Sequence, residues 1–158
     1  MGKVTNDKIK KVRENGWYIQ FIRNPSEALM SIAITESPDS IQFICYPPES
    51  IKNKAVKING NSIRHISSPS ETVQLNAVQQ NPASIQYINS PTKKVQLYCV
   101  SKIGTLIRFI KNPSVLIEKE AIKQNSSAIF YIKKSSMKRL GKRLTKGKRL
   151  TKGKRLTK

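Results

Sequence analysis

A four-residue motif, isoleucine–any residue–aromatic–isoleucine, returns every 22 residues and limits what this chain can fold into. Its copies are Ile19-Gln20-Phe21-Ile22, Ile41-Gln42-Phe43-Ile44, Ile63-Arg64-His65-Ile66, Ile85-Gln86-Tyr87-Ile88, Ile107-Arg108-Phe109-Ile110 and Ile129-Phe130-Tyr131-Ile132, with no insertion or deletion between them. Self-similarity at such a period marks a repeat architecture. No unit of this size buries an apolar face alone, and stacked neighbours complete the core.

The rest of each unit follows the same register. A proline stands at Pro25, Pro47, Pro69, Pro91 and Pro113, preceded by Asn24, Tyr46, Ser68, Ser90 and Asn112. Asn or Ser before Pro reads as a helix start, the side chain capping free N–H groups and the proline occupying the first helical position. In Asn24-Pro25-Ser26-Glu27 and Ser68-Pro69-Ser70-Glu71 the glutamate then falls third, as in a capping box. Apolar residues follow at Leu29, Ile51, Val73, Val95 and Ile117. Four positions later come Ala33, Ala55, Ala77, Cys99 and Ala121, and next to these Ile34, Val56, Val78, Val100 and Ile122. A spacing of i, i+4, i+5 is one face of an α-helix, and the constant small residue marks a close helix crossing. Gly or Pro after Asn59, Asn81, Ile103 and Ser37 ends each helix. The expected fold is all-α, with 22-residue helix-turn-helix repeats stacked as an α-solenoid. A parallel β-solenoid is the competing architecture, since Ile-Gln-Phe-Ile has strand propensity. The helix-start signals and the i, i+4, i+5 pattern argue against it.

Three segments result. Residues 1–14 read as a charged capping helix with Ile9 and Val12 on one side, residues 15–134 as the solenoid, and residues 135–158 as a low-complexity tail carrying Gly-Lys-Arg-Leu-Thr-Lys three times. Dense like charge and periodic glycine predict disorder in that tail. Of the 30 Lys and Arg, 11 fall in residues 138–158 with no acid among them, which leaves 19 against 9 acids in residues 1–137, net +10, within a whole-chain charge of +21. A field of this sign attracts phosphate backbones, anionic membranes and acidic proteins. Cys45 and Cys99 show neither metal-ligand spacing nor a disulfide framework, which predicts a reduced, intracellular and cytoplasmic setting. The first six residues have no apolar stretch for a secretory signal and miss the myristoylation pattern at Asn6. No apolar run reaches the ~20 residues of a membrane span.

The combination of Ile-Gln-Tyr-Ile, Ser-Pro or Asn-Pro-Ser-Glu, and Val-Gln-Leu-Asn-Ala-Val-Gln-Gln-Asn at residues 73–81 resembles the short helical repeats of the type called domain of unknown function 4116. These occur in uncharacterised proteins of large DNA viruses, bacteriophages and some bacteria. The resemblance covers residues 15–133. It implies an α-helical repeat fold and a viral or phage source, and it carries no catalytic residues.

The residues themselves suggest no enzyme. The single histidine, His65, occupies the aromatic slot and reads as a packing substitution. One histidine and two scattered cysteines do not make a metal site. Cys99 fills an alanine slot, Cys45 follows its isoleucine pair and reads as part-exposed, and capping accounts for Glu27, Glu49 and Glu71. No nucleophile–base pair and no glycine-rich phosphate loop is found, and no cofactor is implied. Two surfaces remain. Gln20, Gln42, Arg64, Gln86 and Arg108 sit between the isoleucine and the aromatic, equivalent positions about ~10 Å apart in a stack, and form a candidate partner-binding ladder. A second row, Lys52, Gln74, Gln96 and Glu118, reads as plain surface. In the tail, Lys138, Arg139, Lys142, Arg143, Lys146, Lys148, Arg149, Lys152, Lys154, Arg155 and Lys158 suit salt-sensitive contact with a nucleic acid or other polyanion. In a eukaryotic cell the same run suits nuclear import. The sequence therefore predicts a non-enzymatic interaction or scaffold protein that binds a protein partner through its repeats and a polyanion through its tail. The alternative is a nucleic-acid-binding protein without sequence specificity that uses both.

Overall fold

The computed structural model describes residues 2–132, with side chains from residue 6, and the tail lies outside the described residues. Every regular element among them is helical. Helix α1 spans Gly2–Glu14, within the capping segment read from the sequence. Five α-helices of ten residues follow: α2 Glu27–Glu36, α3 Glu49–Ile58, α4 Glu71–Gln80, α5 Lys93–Lys102 and α6 Val115–Gln124. Between and after them lie six-residue 3-10 helices: η1 Gly16–Phe21, η2 Pro38–Phe43, η3 Gly60–His65, η4 Pro82–Tyr87, η5 Gly104–Phe109 and η6 Ser126–Tyr131. The chain divides into two compact units, residues 1–98 and 99–158, with the division inside α5. In the first unit α1 packs on α2, α2 on α3 and α3 on α4, while η1 to η4 form a parallel layer of successive neighbours. In the described part of the second, η5 packs on η6 and both pack on α6. Each unit is thus a stack of short helix-turn-helix repeats, an α-solenoid.

The motif that sets the period is the 3-10 helix. Its first isoleucine, Ile19, Ile41, Ile63, Ile85 or Ile107, is fully buried. The second closes the helix, its N–H bonding the carbonyl of the first at 3.0 Å in Ile22 and Ile66. Fully burying such a side chain is worth about 1.5–3 kcal/mol, so the two isoleucine rows supply much of the driving force. The small row Ala33, Ala55, Ala77, Cys99 and Ala121 is fully buried, as a close helix crossing requires.

The turns differ from the sequence expectation by two residues. The α-helices are capped by Ser26, Ser70 and Ser114, whose hydroxyls accept from the N–H of Leu29, Val73 and Ile117. Thr92 accepts likewise from Val95. The residue before each proline lies instead in the turn: Asn24, Tyr46, Ser68 and Asn112 have φ between 49° and 54°. A capping residue has extended backbone, as Ser26 and Ser70 do, and a left-handed residue does not supply it. Glu27, Glu49 and Glu71 consequently sit first in their helices and form no capping box. They remain at the positive end of the helix dipole.

The residue that opens η1 to η5 alternates between glycine and proline, Gly16, Pro38, Gly60, Pro82 and Gly104, and η6 opens with Ser126. These glycines do not serve as left-handed helix ends, since no glycine has positive φ among the described residues. They permit close approach: a Cβ on Gly60 would lie 2.4 Å from the Ala77 carbonyl oxygen, and one on Gly104 2.3 Å from that of Ala121. The buried N–H of Gly60 donates to Gln80 Oε1 at 2.7 Å, and that of Gly104 to Gln124 Oε1 at 2.5 Å. Proline has no N–H to satisfy, and twenty positions after Pro38 and Pro82 stand Ile58 and Lys102 rather than glutamine.

Candidate partner-binding face

The ladder residues Gln20, Gln42, Arg64 and Gln86 are all exposed on the 3-10 layer of the first unit, and Arg108 is exposed on η5 in the second. A six-residue 3-10 helix turns its two isoleucines inward and leaves the residue between isoleucine and aromatic outward. Gln42 Nε2 donates to the Asp39 carbonyl at 3.1 Å, which holds that rung flat on its own helix.

The aromatic row lies beside the ladder rather than in the core. Phe21 is 71% exposed and Tyr87 36%, while Phe43, His65 and Phe109 are half-buried. This departs from the packing role expected of the ring. The isoleucines on either side already fill the layer, so the ring can only lean on its neighbours along the surface. Trp17 meets Phe43 of the next repeat edge-on at 5.4 Å between ring centres. The Arg64 guanidinium lies 5.7 Å from the Tyr87 ring centre, and that of Arg108 4.6 Å from Phe109. A groove of about 360 Å³ opens beside Tyr87, lined by Ser67, Ser68, Gln74, Asn89 and Ser90 among others.

Asp39 ties two repeats together under this face. Its carboxylate accepts from Ser62 Oγ at 2.5 Å, Asn59 Nδ2 at 3.3 Å and Arg64 Nη2 at 2.7 Å. Burial opposes ionisation of Asp39 and is the largest single influence. The bonds from Ser62 and Arg64, with the charges of Arg64 and His65, together outweigh it and hold the carboxyl below its ordinary value. One repeat later, Asn61 Oδ1 accepts from Ser84 Oγ at 2.9 Å and Asn81 Nδ2 at 3.1 Å. One repeat earlier the equivalent acceptor position is Trp17, and Ser40 Oγ is buried without a partner among the described residues. On the α-helical side, Ser50 Oγ donates to Glu27, Ser70 Oγ to Glu49, Lys54 Nζ to the Ser31 hydroxyl at 2.6 Å and Asn76 Nδ2 to Asn53 Oδ1 at 2.7 Å. In all of these bonds between successive repeats the donor belongs to the later repeat.

The second polar row is not plain surface. Gln74 is 6% exposed. Its Nε2 donates to the Pro69 carbonyl at 3.0 Å, and its Oε1 accepts from the Thr92 N–H at 3.1 Å in the following turn. Gln96 Nε2 donates to the Pro91 carbonyl at 2.8 Å. These amides occupy backbone groups that the proline turns leave outside any helix. Lys52 is half-buried, and Glu118 is 1% exposed with Oε2 unpartnered among the described residues.

His65 accepts at Nε2 from Arg64 Nε at 3.1 Å. Cys99 is buried, and burial pushes its thiol up to about 12. Cys45 is exposed beside Tyr46, which is 98% exposed in the left-handed conformation that Asn24 and Ser68 adopt in their turns. An aromatic residue fits that conformation less well than Asn, and Tyr46 is the exception in the sequence to Asn or Ser before the proline. Among the described residues no three His, Cys, Asp or Glu side chains converge as metal ligands, and no helix is long and apolar enough to cross a membrane. The eleven basic candidates of residues 138–158 lie outside the described residues. In comparisons with known proteins, the chain matches no family model, no curated protein and no solved structure.

Proposed function

We propose that this chain is a non-enzymatic interaction module that holds a macromolecular partner against its 3-10 layer, with the basic tail adding long-range attraction to a polyanion. One observation supports this above the others. In every repeat of the first unit an exposed long polar side chain stands next to an aromatic or imidazole ring on the same surface. Interfaces favour such side chains, because rings and guanidinium groups offer large contact area together with a polar handle. Kinship with the helical repeats of domain of unknown function 4116 belongs to the same proposal and is supported by the helix-turn-helix unit.

A photo-crosslinking residue placed at Gln20 or Gln86 tests the reading against the same residue at Gln79, which is exposed on α4. In an extract of the source cells, discrete adducts are expected from the two 3-10 positions and not from Gln79. Equal labelling from all three, or none from the 3-10 layer, overturns the proposal.

A further inference from the structure

We infer that the partner of the 3-10 layer is a single-stranded nucleic acid, an inference that rests on the interaction reading above. Three observations converge on that chemistry. The chain is a strong polycation, net +10 even in residues 1–137, so the partner is anionic. The layer itself carries little net charge, because Arg64 is already paired with Asp39 at 2.7 Å, and it presents rings and amides instead. An acidic peptide calls for cations at the contact. A nucleic acid offers its anionic backbone to the chain's excess of Lys and Arg and its bases to the rings. Bases stack on aromatic side chains without regard to sequence, and primary amides hydrogen-bond base edges. Phe21 and Tyr87 are the rings with most open surface in this row of the first unit, each next to an exposed glutamine, Gln20 or Gln86.

The third observation is the groove beside Tyr87. At about 360 Å³ it is roomy enough for a base laid on the ring, and Ser67, Ser68, Asn89 and Ser90 in its lining carry donors and acceptors for the edge. A duplex keeps its bases stacked on one another, so a surface built from rings and amides engages an open strand. Recognition of this kind tolerates sequence, with a modest preference set by stacking strength.

The test uses the full chain and a fluorescently labelled single-stranded oligonucleotide, with the same sequence as a duplex, inorganic polyphosphate and a poly-glutamate peptide as alternative ligands. Phe21→Ala and Tyr87→Ala are compared singly and together with the unaltered protein across a salt series. Both side chains are exposed enough for the variants to fold, which melting curves verify. The double variant is expected to lose at least about tenfold in affinity for the single strand. Its salt slope should not change, because that slope reports phosphate contacts. Duplex and polyphosphate binding should also be unaffected. Unchanged single-strand affinity, or equal affinity for the duplex, overturns the inference. If poly-glutamate binding is what the variants weaken, the layer binds an acidic protein: the interaction reading stands and the ligand class is wrong. If no ligand distinguishes the variants and Gln20 and Gln86 also yield no crosslinks, the interaction reading falls with it.

Discussion

Ser40 and Ser62 occupy the same position in successive repeats, both fully buried, and differ only in whether the preceding repeat offers an acceptor. Ser62→Ala removes a hydrogen bond to the Asp39 carboxylate, and bonds to charged groups contribute about 1.5–3 kcal/mol. Ser40→Ala removes a hydroxyl buried without a partner, whose desolvation is uncompensated, and a gain of about 1 kcal/mol is expected. The two variants should therefore move in opposite directions and end about 3 kcal/mol apart. In a chain of this size 1 kcal/mol shifts the melting midpoint by roughly 2–4 °C, so the separation is about 6–12 °C. Urea and thermal unfolding of the full chain, followed by far-ultraviolet circular dichroism, measures it. A pH series adds an internal control. The folded-state value of Asp39 lies below its ordinary 3.8. The stabilisation is thus complete above that ordinary value and is lost as pH falls through the lower, folded-state one. The gap between the variants should narrow over the same interval. Equal shifts in one direction at neutral pH would refute the claim that the inter-repeat hydrogen bond, rather than burial, separates the two serines.

Four further outcomes follow from the same geometry. Gly60→Ala sets a Cβ 2.4 Å from the Ala77 carbonyl and should cost about 1–3 kcal/mol by overpacking, measured by urea unfolding. Gln74→Leu leaves the Pro69 carbonyl and the Thr92 N–H without their partner and should cost about 1–3 kcal/mol despite its apolar character. Ala77→Glu forces a carboxylate into a fully buried helix crossing and should cost about 3 kcal/mol or more, and a loss under about 1 kcal/mol would show that the alanine row is not core. Iodoacetamide should alkylate exposed Cys45 in the native protein and reach Cys99 only on unfolding, since burial holds its thiol up to about 12. Mass spectrometry before and after urea reads the difference.

The repeat period, the all-helical class, the isoleucine rows and the alanine row were legible in the sequence because hydrophobic spacing reports helix faces directly. The cap position was misread because the residue before proline has two competing propensities. Asn or Ser there suits a cap, but it also suits the left-handed turn conformation that Asn24 and Ser68 adopt, and the cap falls two residues on, at Ser26 and Ser70. The ring row was misread because aromatic residues between isoleucines look like core. The isoleucines hold the inward edge of each 3-10 helix, and the ring shares the next edge with a small buried residue such as Ser40 or Ser62, at the border of the layer. Gln74 and Gln96 were taken for surface because polar residues on a helix usually are. Their signal was present, since glutamine at a fixed distance after Pro69 and Pro91 is placed to serve the turn. The pairing of Gly60 with Gln80 and of Gly104 with Gln124, set against Pro38 with Ile58, was equally readable as a donor matched by an acceptor.

The hydrogen bonds named above between successive repeats run one way. Ser62 donates back to Asp39, Ser84 to Asn61, Asn76 to Asn53 and Lys54 to Ser31. A finished repeat of the first unit therefore shows acceptors to whatever comes next and keeps its donors turned toward what came before. Growth of the stack is vectorial. As the chain leaves the ribosome, N-terminal segments fold first, and each becomes the template on which the next repeat finds its register. These inter-repeat side-chain donors of that unit meet acceptors already synthesised.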